Sequence, residues 1–303
     1  MLDPTSLYTI GERPADLVDP VLVVVLTGFV DAGAATKIAA DHLLETLEHR
    51  VVARFDVDQL HDYRARRPLM TFQVNRWAGV TPPRLELHRV VDAAGVPFLL
   101  LVGPEPDVQW ERFTTAVLQL VREFGVRLTV TLAAIPMTVP HTRPTGLTAH
   151  ATRAELVTQT QPWAGTFTVP ASAGDLLELR LGEAGHDAMG FAVHVPHYVA
   201  QSDYPDAAAV LLEHVDQATG LVLPSGELRE AGVRTRAQID SQVSESAEVA
   251  SVVAALERQY DAYAGASPRP DLLAGAGESL PSADEIAAAF ERFLAQREGD
   301  DQP

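Results

Sequence analysis

The sequence has no cysteine, and Lys37 is its only lysine among 303 residues. The first absence removes disulfides, thiolate metal ligands and cysteine nucleophiles together. The second counts against nucleotide chemistry, because nucleotide phosphates are usually held by lysines as well as arginines. Long hydrophobic runs are missing too. The strongest, residues 21–26 and 98–102, fall far short of the ~20 residues that a membrane-spanning helix needs. The first eight residues show no positive charge followed by an apolar stretch, so no signal peptide and a cytoplasmic location are expected. Positive charge is scarce overall: 23 Lys+Arg face 41 Asp+Glu, a net charge of −18. Such a field repels phosphate backbones and anionic bilayers, so neither nucleic acid nor membrane is an expected partner. With 47% hydrophobic and 21% charged residues, the chain has ample material for a buried core.

Strand and helix patterns alternate through about 220 residues, which predicts an α/β fold. Residues 21–27 are continuously β-branched and apolar, as in a strand buried on both faces of a parallel sheet. A helical stripe of Ala35, Ile38, Ala39, His42, Leu43 and Leu47 follows, then a strand at 51–57, together forming a βαβ unit. Residues 84–91 and 97–102 read as a hairpin around an Asp92–Gly95 turn. Residues 107–124 read as a helix stopped by Gly125, and 127–135 as another buried strand. Further on, the pattern predicts a weaker helix at 149–159, a short strand at 166–169 and a helix at 173–181. A strand at 190–195 and a helix at 205–219 come next. The expected sheet is mostly parallel with helices on both faces, and spans a core domain of residues 1–230. A C-terminal helical region, 231–303, comprises a long helix at 234–263, a Gly/Pro/Ala/Ser linker at 264–281 and a final helix. That helix runs from a Ser282–Glu285 capping box to Leu294. From Asp240 onward thirteen acids oppose four arginines, half of the whole charge imbalance. This predicts a solvated appendage or a docking element.

Most catalytic signatures fail. Gly28 and Gly33 have phosphate-loop spacing, but Ala34 stands where that loop requires lysine. Gly275 and Gly277 lie in the linker without a preceding strand, and Ser172 lacks the glycine that opens a nucleophile elbow. His194 and His197 are offset by an odd number along a strand end and point to opposite faces, so no metal site is expected. No cofactor is implied either.

Polar residues do gather where strands should end, and ligands of open parallel sheets bind beyond the carboxyl ends of strands. Asp31 follows the first strand. Asp56, Asp58, Asp62, Tyr63, Arg64, Arg66 and Arg67 follow the second, Glu105 and Trp110 follow residue 102, His141 and Arg143 follow residue 135, and His197 and Tyr198 follow residue 195, with Tyr204 nearby. An enzyme built here would hold a small anion with Arg64, Arg67 and Arg143, beside Asp62, Tyr63 and Tyr198. His141, His197, Asp31 or Glu105 would move protons. The same residues also have structural uses: Asp31 as a helix cap, and the arginines as partners of Asp56 and Asp62 or across a subunit interface.

The motifs Gly28-Phe-Val-Asp-Ala-Gly33, Asp62-Tyr-Arg with Arg67-Pro68, and Gly103-Pro-Glu-Pro106 before Trp110 and Phe113 occur in that order. Pro140-His-Thr-Arg-Pro144 and Val195-Pro-His-Tyr198 before Tyr204-Pro205 complete the series. It resembles the proteasome assembly chaperone 2 family, in its actinobacterial branch. The resemblance implies an α/β fold similar to nucleoside phosphorylases and related hydrolases, a homo-oligomer, and a non-enzymatic role with proteasome subunits as partners. Some family members dock through a hydrophobic–Tyr–any tail; the ending Asp301-Gln-Pro303 lacks both residues, so that mode is not expected here. Bacterial members are also labelled ATP-grasp-like ligases, which the single lysine disfavours. The alternative is a hydrolase, phosphorylase or ligase acting on a small anionic molecule.

Overall fold

A computed structural model of the chain describes residues 2–157 and 168–265. In chain order the elements are β1 (Tyr8–Ile10), β2 (Val21–Thr27), α1 (Ala35–Thr46), β3 (His49–Phe55), β4 (Leu69–Gln73) and β5 (Arg76–Thr81). They continue with β6 (Glu86–Val91), β7 (Pro97–Pro104), α2 (Trp110–Phe124), β8 (Leu128–Met137), β9 (Leu147–Ala151) and α3 (Ala173–Glu183). The last are β10 (Ala188–Pro196), α4 (Pro205–Thr219), α5 (Gly226–Ser244) and α6 (Ala247–Gly265).

Eight strands form one sheet in the order β1-β3-β6-β7-β2-β8-β10-β9. The four in the middle, β7, β2, β8 and β10, are mutually parallel, and antiparallel strands extend the sheet on both sides. Strand β2 shows why its sequence is apolar without alternation. Val21, Val23 and Val25 pack into the layer of α1 and α4, while Leu22 and Val24 face α2 and α3. Both sides of the strand are core. Strands β2 and β3 run in the same direction, but β7 and β6 lie between them, so the expected βαβ unit crosses over two strands. Gly125 ends α2 at φ 65°, a left-handed conformation that glycine adopts at little cost.

Several expectations need correction. The helix expected at 149–159 is instead the edge strand β9 as far as Ala151, drawn into the sheet by five paired positions on β10. Thr158 and Gln159 lie outside the described residues. So do Thr166 and Phe167 of the expected strand at 166–169, and Thr168 and Val169 have no regular structure. The long helix expected over 234–263 is two helices, with a break at Glu245 and Ser246. The linker from residue 266 and the final helix lie outside the described residues. Strand β1 and the β4–β5 hairpin were not anticipated. The hairpin turn is Val74-Asn75, and Val74 takes a positive φ (56°) at its first position, where glycine or asparagine is the usual signal.

Edge strand β9 is tied down by chemistry as well as by pairing. His150 Nδ1 lies 2.9 Å from Glu178 Oε1 on α3, and Glu178 also accepts from Thr131. Burial opposes the charged imidazole, but the Glu178 carboxylate outweighs it and raises the His150 pKa above the usual value. A histidine with a raised folded pKa adds stability that is complete below its unfolded pKa and lost as pH rises through the folded one. Amide exchange in β9 should therefore accelerate as pH increases past neutrality, beyond the intrinsic base catalysis seen in β8. His150→Gln should remove that excess.

Candidate functional site

Strands β2, β3, β7, β8 and β10 all point the same way, so the segments that follow them meet along one edge of the sheet. The loop after β2 is held rigidly there. Asp31 accepts from the amides of Thr36 (2.8 Å) and Lys37 (3.1 Å), and so occupies the start of α1 itself. Gly33 has φ 67°, donates its amide to Ala200 (2.7 Å) and accepts from Tyr204 (2.8 Å). A Cβ at Gly33 would lie 2.6 Å from the Tyr204 Cβ, so only glycine lets this loop lie against the start of α4.

The first polar group surrounds Arg66. Its guanidinium donates to the Glu105 carbonyl and to Asp107 (2.6 Å), and one of its nitrogens fills the space a Cβ at Gly28 would need. Burial alone would raise the Asp107 pKa; Arg66 and the Asp62 amide reverse that and hold it below the usual carboxylate range. Glu105 accepts from the amide of Ala173, the first residue of α3. Its burial keeps the Glu105 pKa raised. Tyr63 donates to Asp58, and Asp62 accepts from the Arg64 amide in a tight turn. Arg64 and Arg67 are exposed.

The second group lies on the segment after β8, residues 138–146, which crosses beneath α5 and α6. The His141 amide donates to Tyr198 Oη (2.7 Å), and His141 Nδ1 lies 2.6 Å from the same oxygen. Nε2 lies 3.0 Å from the carboxylate of Asp240 on α5. Burial lowers the His141 pKa, with Asp240 acting in the opposite direction, and burial raises that of Tyr198. Arg143 makes a two-pronged contact with Asp261 of α6 (2.7 Å for each nitrogen) and a third bond to Glu257 (3.1 Å). Thr145 donates to Asp206, whose side chain is only 2% exposed and which also binds Arg229 (2.9 Å). His197 places Nδ1 3.4 Å from the Met137 carbonyl, and burial lowers its pKa.

The candidate residues thus share an edge but divide between two groups with different partners. His141, Tyr198 and Arg143 belong with α5 and α6. Asp62 and Glu105 belong with Arg66, Asp107 and α3. Asp31 is engaged by α1. Of the three arginines expected to hold an anion, Arg143 is engaged by Glu257 and Asp261 of α6, while Arg64 and Arg67 are exposed. Among the described residues no group of three or more His, Asp or Glu is placed to hold a metal ion, and no helix is long and apolar enough to cross a membrane.

A different surface was missed by sequence reasoning. Every residue of β4 and β5 is exposed, and these strands pair only with each other. Leu69 (81% exposed), Phe72 (57%), Val74 (94%) and Trp77 (63%) stand in water, with the Phe72 and Trp77 rings edge to face at 5.0 Å. Residues 63–85, which include the hairpin, hold five arginines and no acid in a chain of net charge −18. The signal available in the sequence was this acid-free, arginine-bearing apolar run.

The sequence profile of the PAC2 family matches residues 25–243. The chain belongs to the PAC2 family. The match runs from within β2 to near the end of α5, and so covers the hairpin, the Arg66 group and the 138–146 segment, but not Glu257 and Asp261 of α6. Solved structures agree. A Mycobacterium tuberculosis protein of unknown function is 49% identical, with TM-score 0.82 over 86% of this chain and 90% of that one. A PAC2 family protein from Streptomyces avermitilis is 28% identical, with TM-score 0.68 over 78% and 100%. A Mycobacterium tuberculosis proteasome-assembly chaperone homologue is 24% identical, with TM-score 0.71 over 77% and 99%, a likeness of fold. Among curated proteins none matches the chain.

Proposed function

We propose that this PAC2 protein is a non-enzymatic interaction protein that assists proteasome assembly, and that it works as a homo-oligomer joined through the β4–β5 hairpin. The observation that carries the reading is the hairpin: two strands exposed on both faces and studded with Leu69, Phe72, Val74 and Trp77. A lone two-stranded hairpin is marginally stable in water, and a contiguous apolar patch on a soluble protein marks a contact surface. Arg76 in the hairpin and the exposed Arg64, Arg67 and Arg84 beside it call for an acidic partner, and a second copy of this acidic chain supplies one. At the strand-end edge, by contrast, Arg66, Arg143, Glu105, Asp31 and His141 are committed to partners within the chain. The name of the Mycobacterium proteasome-assembly chaperone homologue supports proteasome subunits as clients, and a cytoplasmic location accords with that.

Co-purification from a proteasome-containing host tests the reading. Wild-type protein should retain proteasome α subunits under gentle conditions, and a Phe72→Ser/Trp77→Ser variant should retain fewer or none. Recovery of no proteasome subunit with the folded wild-type protein would overturn the chaperone assignment.

A further inference from the structure

The β4–β5 ribbon has two unlike faces. Met70 pairs with Val80 and Phe72 with Trp77, and residues two apart on a strand share a face. One face is therefore a continuous apolar strip of Met70, Phe72, Trp77 and Val80, each more than half exposed, with the Phe72–Trp77 ring contact at its middle. The other carries Leu69, Thr71, Gln73, Arg76 and Thr81. Strands of five and six residues make the strip about 17–20 Å long. No strand of the large sheet pairs with the ribbon.

The sequence beyond α6 has the complementary character. In residues 266–303 eight acids oppose three arginines. On the helix expected from the Ser282–Glu285 capping box to Leu294, the residues Ile286, Phe290, Phe293 and Leu294 fall on one stripe, at offsets of four, seven and eight. Thirteen helical residues measure about 20 Å, the length of the ribbon's strip. Asp284, Glu285 and Glu291 accompany the stripe, while Arg64, Arg67, Arg76 and Arg84 lie on or beside the ribbon. The acids of α5 and α6 at the strand-end edge are already engaged, Asp240 by His141 and both Glu257 and Asp261 by Arg143. Reach is ample. Helix α6 comes to the strand-end edge where Tyr260 donates to the Pro144 carbonyl (3.2 Å), and the hairpin follows β3 at that same edge. The 17 residues from Gly265 to Ser282 span about 60 Å at most, against ~14 Å of sheet between β6 and β8. The segment is thus long enough to meet another copy.

We propose that the apolar face of the β4–β5 ribbon is the seat for residues 282–294 of a neighbouring copy, so that each copy in the oligomer gives one C-terminal segment and receives one. This rests on the hairpin being the contact between copies, and it names what the hairpin holds; it does not depend on any client. A segment turned back onto its own hairpin covers the strip and keeps copies apart. Exchanged between copies it joins them, and a closed symmetric assembly repeats the contact at every interface. The aromatic stripe and strip form the dry centre of the contact. Acids and arginines meet at its rim, where opposite charges select the partner and fix the register.

Two full-length variants and their mixture, followed by light scattering, test the exchange. Phe290→Ser/Phe293→Ser should weaken association about a hundredfold or more, as Phe72→Ser/Trp77→Ser does, because two large apolar side chains leave the same contact. Unchanged amide protection in β2 and β8 shows that the body remains folded. Asp284→Arg/Glu285→Arg keeps the stripe and should weaken association about tenfold, with a larger effect at low salt. Mixed in equal amounts, the Phe72/Trp77 and Phe290/Phe293 variants should form a two-chain complex that neither forms alone, since together they hold one intact face and one intact segment. Protection at 69–81 of the Phe290/Phe293 variant should rise in that mixture. An oligomer that survives Phe290→Ser/Phe293→Ser but not Phe72→Ser/Trp77→Ser leaves the hairpin as the contact and overturns the segment as its occupant. Tighter association of the Phe290/Phe293 variant places the segment on its own hairpin and overturns the exchange, as does a mixture that stays monomeric. An oligomer that survives the hairpin substitutions overturns the hairpin contact itself, and the exchange with it.

Discussion

Asp206→Ala should lower the stability of the fold by about 3 kcal/mol, the lower end of the range for breaking a buried ion pair. The carboxylate is only 2% exposed, and it binds Arg229 (2.9 Å), Thr145 (2.8 Å) and, at 3.8 Å, Arg236. Its loss leaves the hydroxyl and both guanidiniums without their common acceptor. The effect stays below the top of the range because Arg229 is 39% exposed and keeps Glu213 as a second partner. In a chain of this size, a thermal midpoint lowered by roughly 5–10 °C is expected in calorimetry. Asp206→Asn, which keeps an acceptor for Thr145 but not the charge, should fall between the wild type and alanine. The contrast is Lys37–Asp41, an i,i+4 pair with side chains 62% and 48% exposed. Asp41→Ala should change stability by no more than about 0.5 kcal/mol. Equal losses from Asp206→Ala and Asp41→Ala would show that burial of Asp206 does not make the difference.

The second large effect concerns assembly. Phe72→Ser/Trp77→Ser should turn an oligomer into a monomer of 32.7 kDa, read by light scattering, with little change in far-ultraviolet circular dichroism. Interfaces draw most of their affinity from a few buried aromatic and arginine side chains. Burying one large apolar side chain is worth about 1.5–3 kcal/mol, so removing two at a shared contact weakens association by roughly a hundredfold to ten-thousandfold. The hairpin makes no sheet pairing with the body, so the core built on β2, β7, β8 and β10 should be indifferent to the change. Arg76→Glu should weaken association less, and more so at low salt, because an exposed charge acts over a Debye length of about 10 Å at 0.1 M. An unchanged mass in the serine variant would remove the hairpin from the interface.

Legibility in the sequence followed from how local each cause was. Strand β2 and helix α4 could be bounded correctly because burial on both sheet faces and a Pro205 start leave local marks. Strand β9 could not, because its Leu147–Ala151 stretch is fixed by pairing with β10, some forty residues away. The edge itself was predictable, since parallel strands must deliver their following loops to one side. What each side chain does there was not. Asp240, Glu257 and Asp261 read as a solvated acidic run, yet they seat α5 and α6 on His141 and Arg143. Arg66, rather than Arg64 or Arg67, turned inward, and nothing in the spacing of three arginines within four residues separates them. The hairpin escaped notice because Val74 occupies the first position of its turn, and because its apolar residues serve no core of this chain.

The role of the hairpin as a contact element is tested most directly by amide hydrogen exchange at residues 69–81, measured over a hundredfold range of protein concentration. Protection that climbs with concentration, alongside unchanged protection in β2 and β8, is the predicted result. Fast exchange of these amides at every concentration, in protein that light scattering shows to be oligomeric, would place the contact elsewhere and contradict the account.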